Sequence, residues 1–321
     1  MNVLAIIILL LATAWCTAAL YIDSPVLRLP LAIGFAVVML AAIFTQNHRI
    51  GRSVAVGAIA LVLVWWFSLQ PSNNRNWQPD VAELAWAEVN GDQVTVHNVR
   101  YCDYRTETDY TPRWETRTYD LTQLRGVDMF ITYWGSPYIA HPQLSFRFGE
   151  DTHLVISIEV RKEVGEAYSS ILGFFRQYEL TFVAADERDV IRLRTNFRKG
   201  EEVYLYRLNV QPHQARAVLL NYLATANRMR NQPEWYNALT NNCTTDIRAQ
   251  TQGTSEKGPA SWDYRIIVNG LADKMLYDRG DIVTAGLPFD ELKRRVHIND
   301  VARQATEADF SRRIREGRPG F

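Results

Sequence analysis

Residues 240–247 read TNNCTTDI and place a cysteine, Cys243, at the predicted start of a helix. Asn241 and Asn242 are good N-cap residues, and Thr244 opens a segment with helical character. Unpaired backbone N–H groups and the positive end of the helix dipole can stabilise a thiolate there, and they can hold an oxyanion during acyl transfer. The stretch fits either a thiol nucleophile or an ordinary buried cysteine that packs a helix against a sheet.

A thiol nucleophile needs a base within hydrogen-bond distance, and a third group usually orients that base. Of the six histidines, we select His141 and His153 as candidate bases, because they flank the turn of a predicted hairpin. The orienting group stays open among His153, Glu159 and Tyr178. Arg161 lies on the same strand face as Glu159, and a solvated charged surface with local ion pairs is the preferred explanation of that face.

The N-terminal region, residues 1–70, is apolar and contains very few charged residues. Three stretches in it, 3–21, 29–45 and 54–69, are each about long enough to cross a bilayer as a helix. The connecting segment 46–53 is basic, which predicts that it faces the cytoplasm. We therefore expect a three-helix transmembrane anchor with a cytoplasmic N-terminus, followed by a domain outside the cytoplasm.

The remaining chain, residues 71–321, is predicted to form that domain. Alternating apolar and polar residues predict strands at 94–105, 114–121, 127–134, 144–149, 153–161, 178–184, 189–195 and 202–208. Helices are predicted from Pro212 onward, from 244 to 252 with Gly253 ending the helix, within 266–276, and through the charged tail 289–316. Strands followed by helices indicate an α+β fold with a mostly antiparallel sheet.

Several functional classes receive no support from the sequence. The formal net charge is zero, so a strongly electrostatic nucleic-acid partner is not expected. The three cysteines give no disulfide framework and no zinc-ligand spacing. The sequence contains no phosphate-binding loop, dinucleotide fingerprint or G-x-S-x-G elbow, and we expect neither a cofactor nor a metal ion.

Several blocks of the sequence resemble one family. They include NWQPDVAEL (76–84), AHPQLSF (140–146), SIEVRKEVGEAYS (157–169) and LTNNCTTDI (239–247). These blocks, spread over about residues 71–320, resemble the Lnb N-terminal periplasmic domain family, which is named after a bacterial lipoprotein N-acyltransferase. The resemblance implies a permuted papain-like thiol fold, as in NlpC-type peptidases and lecithin retinol acyltransferase, in which histidine precedes cysteine. It also implies that Cys243 is the nucleophile and His141 the base, with His153 as a second histidine.

Three functions follow as expectations. The leading one is a membrane-anchored periplasmic thiol acyltransferase of the bacterial inner membrane, with membrane lipids and lipoproteins as partners. It would move an acyl chain from a phospholipid or a diacylglyceryl lipoprotein to an amine through a thioester on Cys243. The second is a cysteine hydrolase or amidase that acts on peptidoglycan or lipoprotein, and the third is a non-catalytic binding protein of the cell envelope.

Overall fold

The computed structural model of the chain describes residues 3–251 and 263–321. The chain divides into two compact units. The smaller unit consists of Met1–Asn73, Ala167–Glu179 and Glu234–Ala238, and the larger unit consists of Asn74–Glu166, Leu180–Pro233 and Leu239–Phe321. The division of the chain into an anchor up to residue 70 and a separate periplasmic domain stays a prediction.

The smaller unit contains three apolar helices, α1 (Val3–Asp23), α2 (Arg28–Phe44) and α3 (His48–Ser68). Among the described residues, α1 and α3, with 21 residues each, are long and apolar enough to cross a membrane. Helix α2 has 17 residues and falls short of the ~20 that a typical bilayer requires. The structure therefore supports two candidate spans where the sequence predicts three.

Two later segments of the chain complete the smaller unit. Backbone hydrogen bonds join them to each other, from Tyr236 N to Tyr178 O (2.9 Å) and from Ala238 N to Gly173 O (2.8 Å). A Cβ atom on Gly173 would lie 3.1 Å from the Tyr236 ring, so the absence of a side chain allows the two segments to approach closely. The two segments are thus paired with each other within this unit.

The strands in the described part of the chain lie between residues 86 and 207. The strands are β1 (Trp86–Asn90), β2 (Gln93–Arg100), β3 (Asp103–Tyr104), β4 (Tyr110–Thr111), β5 (Trp114–Asp120), β6 (Leu124–Trp134), β7 (Ser136–Phe148), β8 (Thr152–Arg161), β9 (Glu179–Ala185) and β10 (Glu201–Arg207). The main sheet has the order β1-β2-β9-β8-β7-β6-β10, with β5 also paired to β2, while β3 and β4 pair separately.

The sheet is mixed, so the prediction of a mostly antiparallel sheet needs one addition, a parallel pair of strands. Strand β2 pairs in parallel with β9, through Arg100 and Ala185, and β5 to β8 lie between these two strands along the chain. The pairs β1–β2, β2–β5, β6–β7, β7–β8 and β6–β10 are antiparallel. An α+β fold with a mixed sheet is therefore the observed class.

The strand predicted at 189–195 is wrong. Helix α4 (Glu187–Arg192) occupies that region and continues into a π-helical turn, Leu193–Phe197. The Asp186 side chain caps the helix by accepting a hydrogen bond from Arg188 N, and acidic residues in the first turn suit the helix dipole. The alternating pattern of DVIRLRT is too short to distinguish a strand from a helix with a buried face.

The C-terminal region is helical, as predicted. Its helices are α5 (Pro212–Asn231), α6 (Cys243–Gln250), α7 (Ala272–Arg279), α8 (Phe289–Arg295), α9 (Asn299–Gln304) and α10 (Phe310–Arg313). Helix α7 ends at Gly280, whose φ of 70° suits a glycine. The predicted helix end at Gln252 and Gly253 lies outside the described residues. Buried residues of α4, α9 and α10 pack with the sheet in one core, which includes Phe130, Val155, Val183, Ile191, Leu205, Ala302 and Phe310.

Candidate active site

Cys243 is the first residue of α6 and is buried. Asn242 caps this helix, because its side-chain oxygen accepts hydrogen bonds from Thr244 N (2.9 Å) and Thr245 N (3.0 Å). The Thr245 hydroxyl in turn accepts a hydrogen bond from Asn242 N at 2.8 Å, which completes a capping box. The cap fixes the backbone on both sides of the thiol. Asn241 lies half-buried directly before the cap.

One of the first-turn amides predicted to hold an oxyanion already has a partner. The amide of Thr244 is occupied by the Asn242 side chain and is not available to a ligand. The sulfur of Cys243 instead lies 3.9 Å from the Thr244 hydroxyl and 4.0 Å from Nδ2 of Asn269. Asn269 is a site residue that the sequence analysis missed.

Asn269 is held in a defined orientation. Its Oδ1 accepts a hydrogen bond from Ala140 N at 2.9 Å, and because a backbone N–H can only donate, the oxygen must face Ala140. The NH₂ group therefore faces Cys243. Gly270 allows this approach, since a Cβ atom there would lie 2.3 Å from the carbonyl oxygen of Pro137. The segment after residue 263 thus delivers an amide donor to the sulfur.

His141 lies in the middle of β7, and its imidazole interacts with the thiol of Cys243. Its Nε2 atom is 3.1 Å from Oε1 of Glu159 and 2.9 Å from the Ser157 hydroxyl. Burial alone would lower the pKa of this imidazole, but the charge of Glu159 and the hydrogen bond with Cys243 outweigh burial and raise the pKa to about 9. The imidazole is therefore protonated at neutral pH.

Glu159 is the carboxylate partner of this imidazolium. Burial would raise its pKa, but the charge of His141, followed by that of Arg194, holds the pKa well below its usual range. Arg194 NH2 lies 3.4 Å from Glu159 Oε1, and the Ser157 hydroxyl donates to the same oxygen at 2.6 Å. The ionised carboxylate therefore orients the imidazole and stabilises its protonated form.

A short hydrogen-bonded network of polar side chains contacts both His141 and Glu159. Gln143 Nε2 donates to the Ser157 hydroxyl at 3.0 Å, and both residues are fully buried. Gln143, Ser157 and Arg194 were not predicted from the sequence. A signal for the first two existed, because polar residues recur at every second position in AHPQLSF and SIEV, on strands that are otherwise apolar.

His153 does not join this site. It pairs with Arg147 across β7 and β8, six residues along β7 from His141, which corresponds to ~20 Å at the usual rise of a strand. Its Nδ1 lies 3.9 Å from Glu187, and burial lowers the pKa of the imidazole, an effect that outweighs the opposite effect of Glu187. The antiparallel hairpin separates the two histidines, because His153 lies beside the turn that joins β7 and β8 while His141 lies toward the opposite end of the two strands.

Two further candidates also lie elsewhere. The guanidinium of Arg161 donates to the carbonyl oxygens of Val81 (2.9 Å) and Ala82 (2.6 Å), which gives it a structural role. Tyr178 belongs to the smaller unit, where its hydroxyl donates to Ala167 O at 2.7 Å. Of the predicted residues, the structure thus brings together Cys243, His141 and Glu159 with the cap at Asn242 and Thr244.

A buried thiol at a helix N-terminus, beside an imidazole that a carboxylate orients, is the arrangement used by thiol-dependent enzymes. The comparison with family models gives the family of the chain. The model of the Lnb N-terminal periplasmic domain matches residues 110–270, half of the 321-residue chain, and the chain belongs to that family. The match contains all the site residues described above.

The family and the apolar helices together define the cellular setting. The chain is a membrane-associated periplasmic protein, and α1 and α3 fit an anchor in the inner membrane. The number of spans and their direction stay predictions. The comparison with curated proteins found no match, and neither did the comparison with solved structures.

Proposed function

We propose that the protein is a membrane-anchored periplasmic thiol acyltransferase with Cys243 as nucleophile and His141 as base. The observation that carries the proposal is the interaction of the Cys243 thiol with His141, whose Nε2 lies 3.1 Å from Oε1 of Glu159. The order of histidine before cysteine also favours a permuted papain-like fold. Transfer proceeds in two half-reactions through a thioester.

The reactive form is a thiolate beside an imidazolium, in which the proton of the Cys243 thiol resides on His141. Nε2 of His141 is engaged by Glu159 and Ser157, so Nδ1 is the atom that faces the sulfur. The carboxylate of Glu159 stabilises this imidazolium. The raised pKa of His141 favours this ion pair.

The thiolate then attacks the carbonyl carbon of an acyl ester in a phospholipid or a diacylglyceryl lipoprotein. A C–S bond forms, and the negative charge moves to the carbonyl oxygen. The Asn269 NH₂ group and the backbone N–H of Cys243 are the donors that we assign to this oxyanion. The C–O bond breaks, and the imidazolium of His141 protonates the leaving alkoxide.

An amine completes the reaction. The neutral amine attacks the thioester, the C–N bond forms, and the C–S bond breaks to return the thiolate. His141 accepts the proton that the amine loses and again forms the ion pair with Cys243. The product is an amide, as in lipoprotein N-acylation. A hydrolase would use water in place of the amine at this step.

Two features support an acyl substrate over a polar one. Exposed apolar side chains lie on the segments that carry His141 and Asn269, namely Tyr138, Ile139 and Ile267. An anchored protein also works at a high local concentration of lipid, because the chain cannot diffuse away from the bilayer. Both features favour transfer from a lipid donor over cleavage of peptidoglycan.

The test is the intact mass of the detergent-purified protein after incubation with a defined diacyl phospholipid. We expect a gain of one acyl chain that hydroxylamine removes, and Cys243→Ala must abolish it. Cys102→Ala is the matched control, since burial raises the pKa of the Cys102 thiol to about 11 and makes this cysteine unreactive. Release of free fatty acid that depends on Cys243, without transfer to an added amine, would instead indicate hydrolysis.

A further inference from the structure

The segment Ala167–Glu179 of the smaller unit carries exposed apolar side chains that the proposed chemistry does not use. Ile171 is 70% exposed, Tyr168 42% and Phe174 38%. Ile171 directly precedes a 3-10 turn, Leu172–Phe174, which includes Phe174. Apolar side chains grouped on one short surface segment indicate a contact surface.

The segment is attached to the ends of the apolar helices. Asp23, the last residue of α1, accepts hydrogen bonds at Oδ1 from Arg176 N (3.1 Å) and Gln177 Nε2 (2.8 Å). Its other oxygen accepts a hydrogen bond from Trp66 Nε1 of α3 at 2.7 Å. One carboxylate therefore joins α1, α3 and the segment, all within the smaller unit.

Aromatic and basic side chains lie at the same level. Phe175 stacks on Trp15 of α1 with ring centroids 6.4 Å apart. The Arg176 guanidinium lies 4.2 Å from the centroid of the Trp66 ring and donates to Leu69 O at 3.3 Å. Tryptophan and arginine at the end of a spanning helix are typical of the membrane–water interface.

We propose that Tyr168, Ile171 and Phe174 insert into the boundary between lipid headgroups and acyl chains. These side chains contact the lipid bilayer that α1 and α3 cross. The segment is attached to the ends of these helices, where the bilayer meets water. The chain thus holds the membrane through a peripheral contact in addition to its spanning helices. This inference depends on the spans and is independent of chemistry at Cys243.

The experiment uses the full chain with a photo-crosslinking residue, Ile171→benzoylphenylalanine. The protein is reconstituted into vesicles of phosphatidylethanolamine and phosphatidylglycerol and is irradiated. We expect an intact-mass gain of one phospholipid. The matched control carries the same residue in place of Val89, which is 48% exposed on β1 of the larger unit, and should gain no lipid.

Two results would overturn the proposal: no lipid adduct at position 171, or a cross-link at that position to a second copy of the chain. Phe174→benzoylphenylalanine repeats the measurement at a second exposed site and must give the same lipid adduct. The experiment is also performed in the Cys243→Ala background. A lipid adduct that persists there separates this membrane contact from the proposed acyl transfer.

Discussion

Nε2 of His141 lies 3.1 Å from Oε1 of Glu159, although the two residues are separated by a complete hairpin turn. The antiparallel register explains the contact. Leu144 faces Ile156 across β7 and β8, and the same register continued by three residues brings His141 opposite Glu159. The strand pairing therefore positions the imidazole of His141 beside the carboxylate of Glu159, while α6 carries the thiol.

The first prediction concerns the charge of that carboxylate. In Glu159→Gln the hydrogen-bonding shape is nearly kept, but the negative charge that stabilises the imidazolium is lost. We expect the pKa of His141 to fall from about 9, so that the alkaline limb of acyl transfer moves to lower pH. The measurement is the pH dependence of thioester formation.

The control for this profile is Glu163→Gln, which removes a partly exposed carboxylate that pairs with Arg75. It should leave the alkaline limb in place. If Glu159→Gln also leaves the limb unchanged, Glu159 does not set the protonation of His141.

The second prediction concerns stability and pH. The folded pKa of His141 is raised, so its charged form stabilises the fold fully below the ordinary pKa of ~6.5, and this contribution is lost as the pH rises through about 9. The free energy of unfolding of His141→Gln should be lower than that of the wild type near neutral pH. Denaturant titrations on the two proteins should converge at alkaline pH, and a constant difference across the range would contradict the ion pair.

The fold class and the position of Cys243 at a helix N-terminus could be predicted from the sequence, because both depend on local signals. The Asn-Asn-Cys-Thr-Thr stretch contains its own cap, and the structure places Asn242 in that role. The strand region around β6 to β8 has clear apolar runs. These signals depend on residues that are close along the chain.

The residues that the sequence did not reveal depend on tertiary contacts. Asn269 lies 26 residues from Cys243, and Arg194 reaches Glu159 from 35 residues away. His153 illustrates the opposite error, because closeness along a hairpin suggests closeness in space. The register instead places His153 beside Arg147, far along β7 from His141.

The third prediction concerns the amide at the sulfur. Asn269→Ala removes the donor that we assign to the oxyanion, and loss of one such donor typically lowers the rate ~100-fold to ~1000-fold. Asn269→Asp is a sharper variant, since a carboxylate oxygen can still accept from Ala140 N but replaces the NH₂ group with an acceptor. Both should lower the rate of acyl transfer with little change in folding, measured by single-turnover kinetics. An active Asn269→Asp would exclude the donor role.

The fourth prediction concerns the close approach beside Asn269. In Gly270→Ala the new Cβ would lie 2.3 Å from Pro137 O and 2.4 Å from the carbonyl carbon of Tyr138, both backbone atoms that cannot rotate away. We expect a loss of about 1–3 kcal/mol in unfolding free energy and a displaced Asn269. Gly126→Ala is the control, because its Cβ would meet Arg147 at an ordinary 3.7 Å. Equal stability of the two variants would mean that the segment shifts without cost.

The fifth prediction concerns the buried charges that attach the C-terminal end to the sheet. Arg315 donates to Asp128 (2.9 Å) and to Glu187 (2.8 Å), and both carboxylates are fully buried. Burial would raise the pKa of Glu187, but the charge of Arg315 outweighs it and lowers the pKa to about 2. Arg315→Ala leaves Glu187 without this compensation, so we expect a loss of ~3–5 kcal/mol in the free energy of unfolding.

The matched control is Arg313→Ala, two residues earlier, where the guanidinium is 38% exposed and lies 3.9 Å from Glu316. A surface pair of this kind contributes at most ~1 kcal/mol. Because the depressed pKa of Glu187 stabilises the fold above its ordinary value of ~4.3, the deficit of Arg315→Ala should shrink as the pH falls toward about 2. Denaturant titrations at neutral and acidic pH measure both effects. A deficit for Arg315→Ala no larger than that of Arg313→Ala would show that the buried carboxylates do not depend on this arginine.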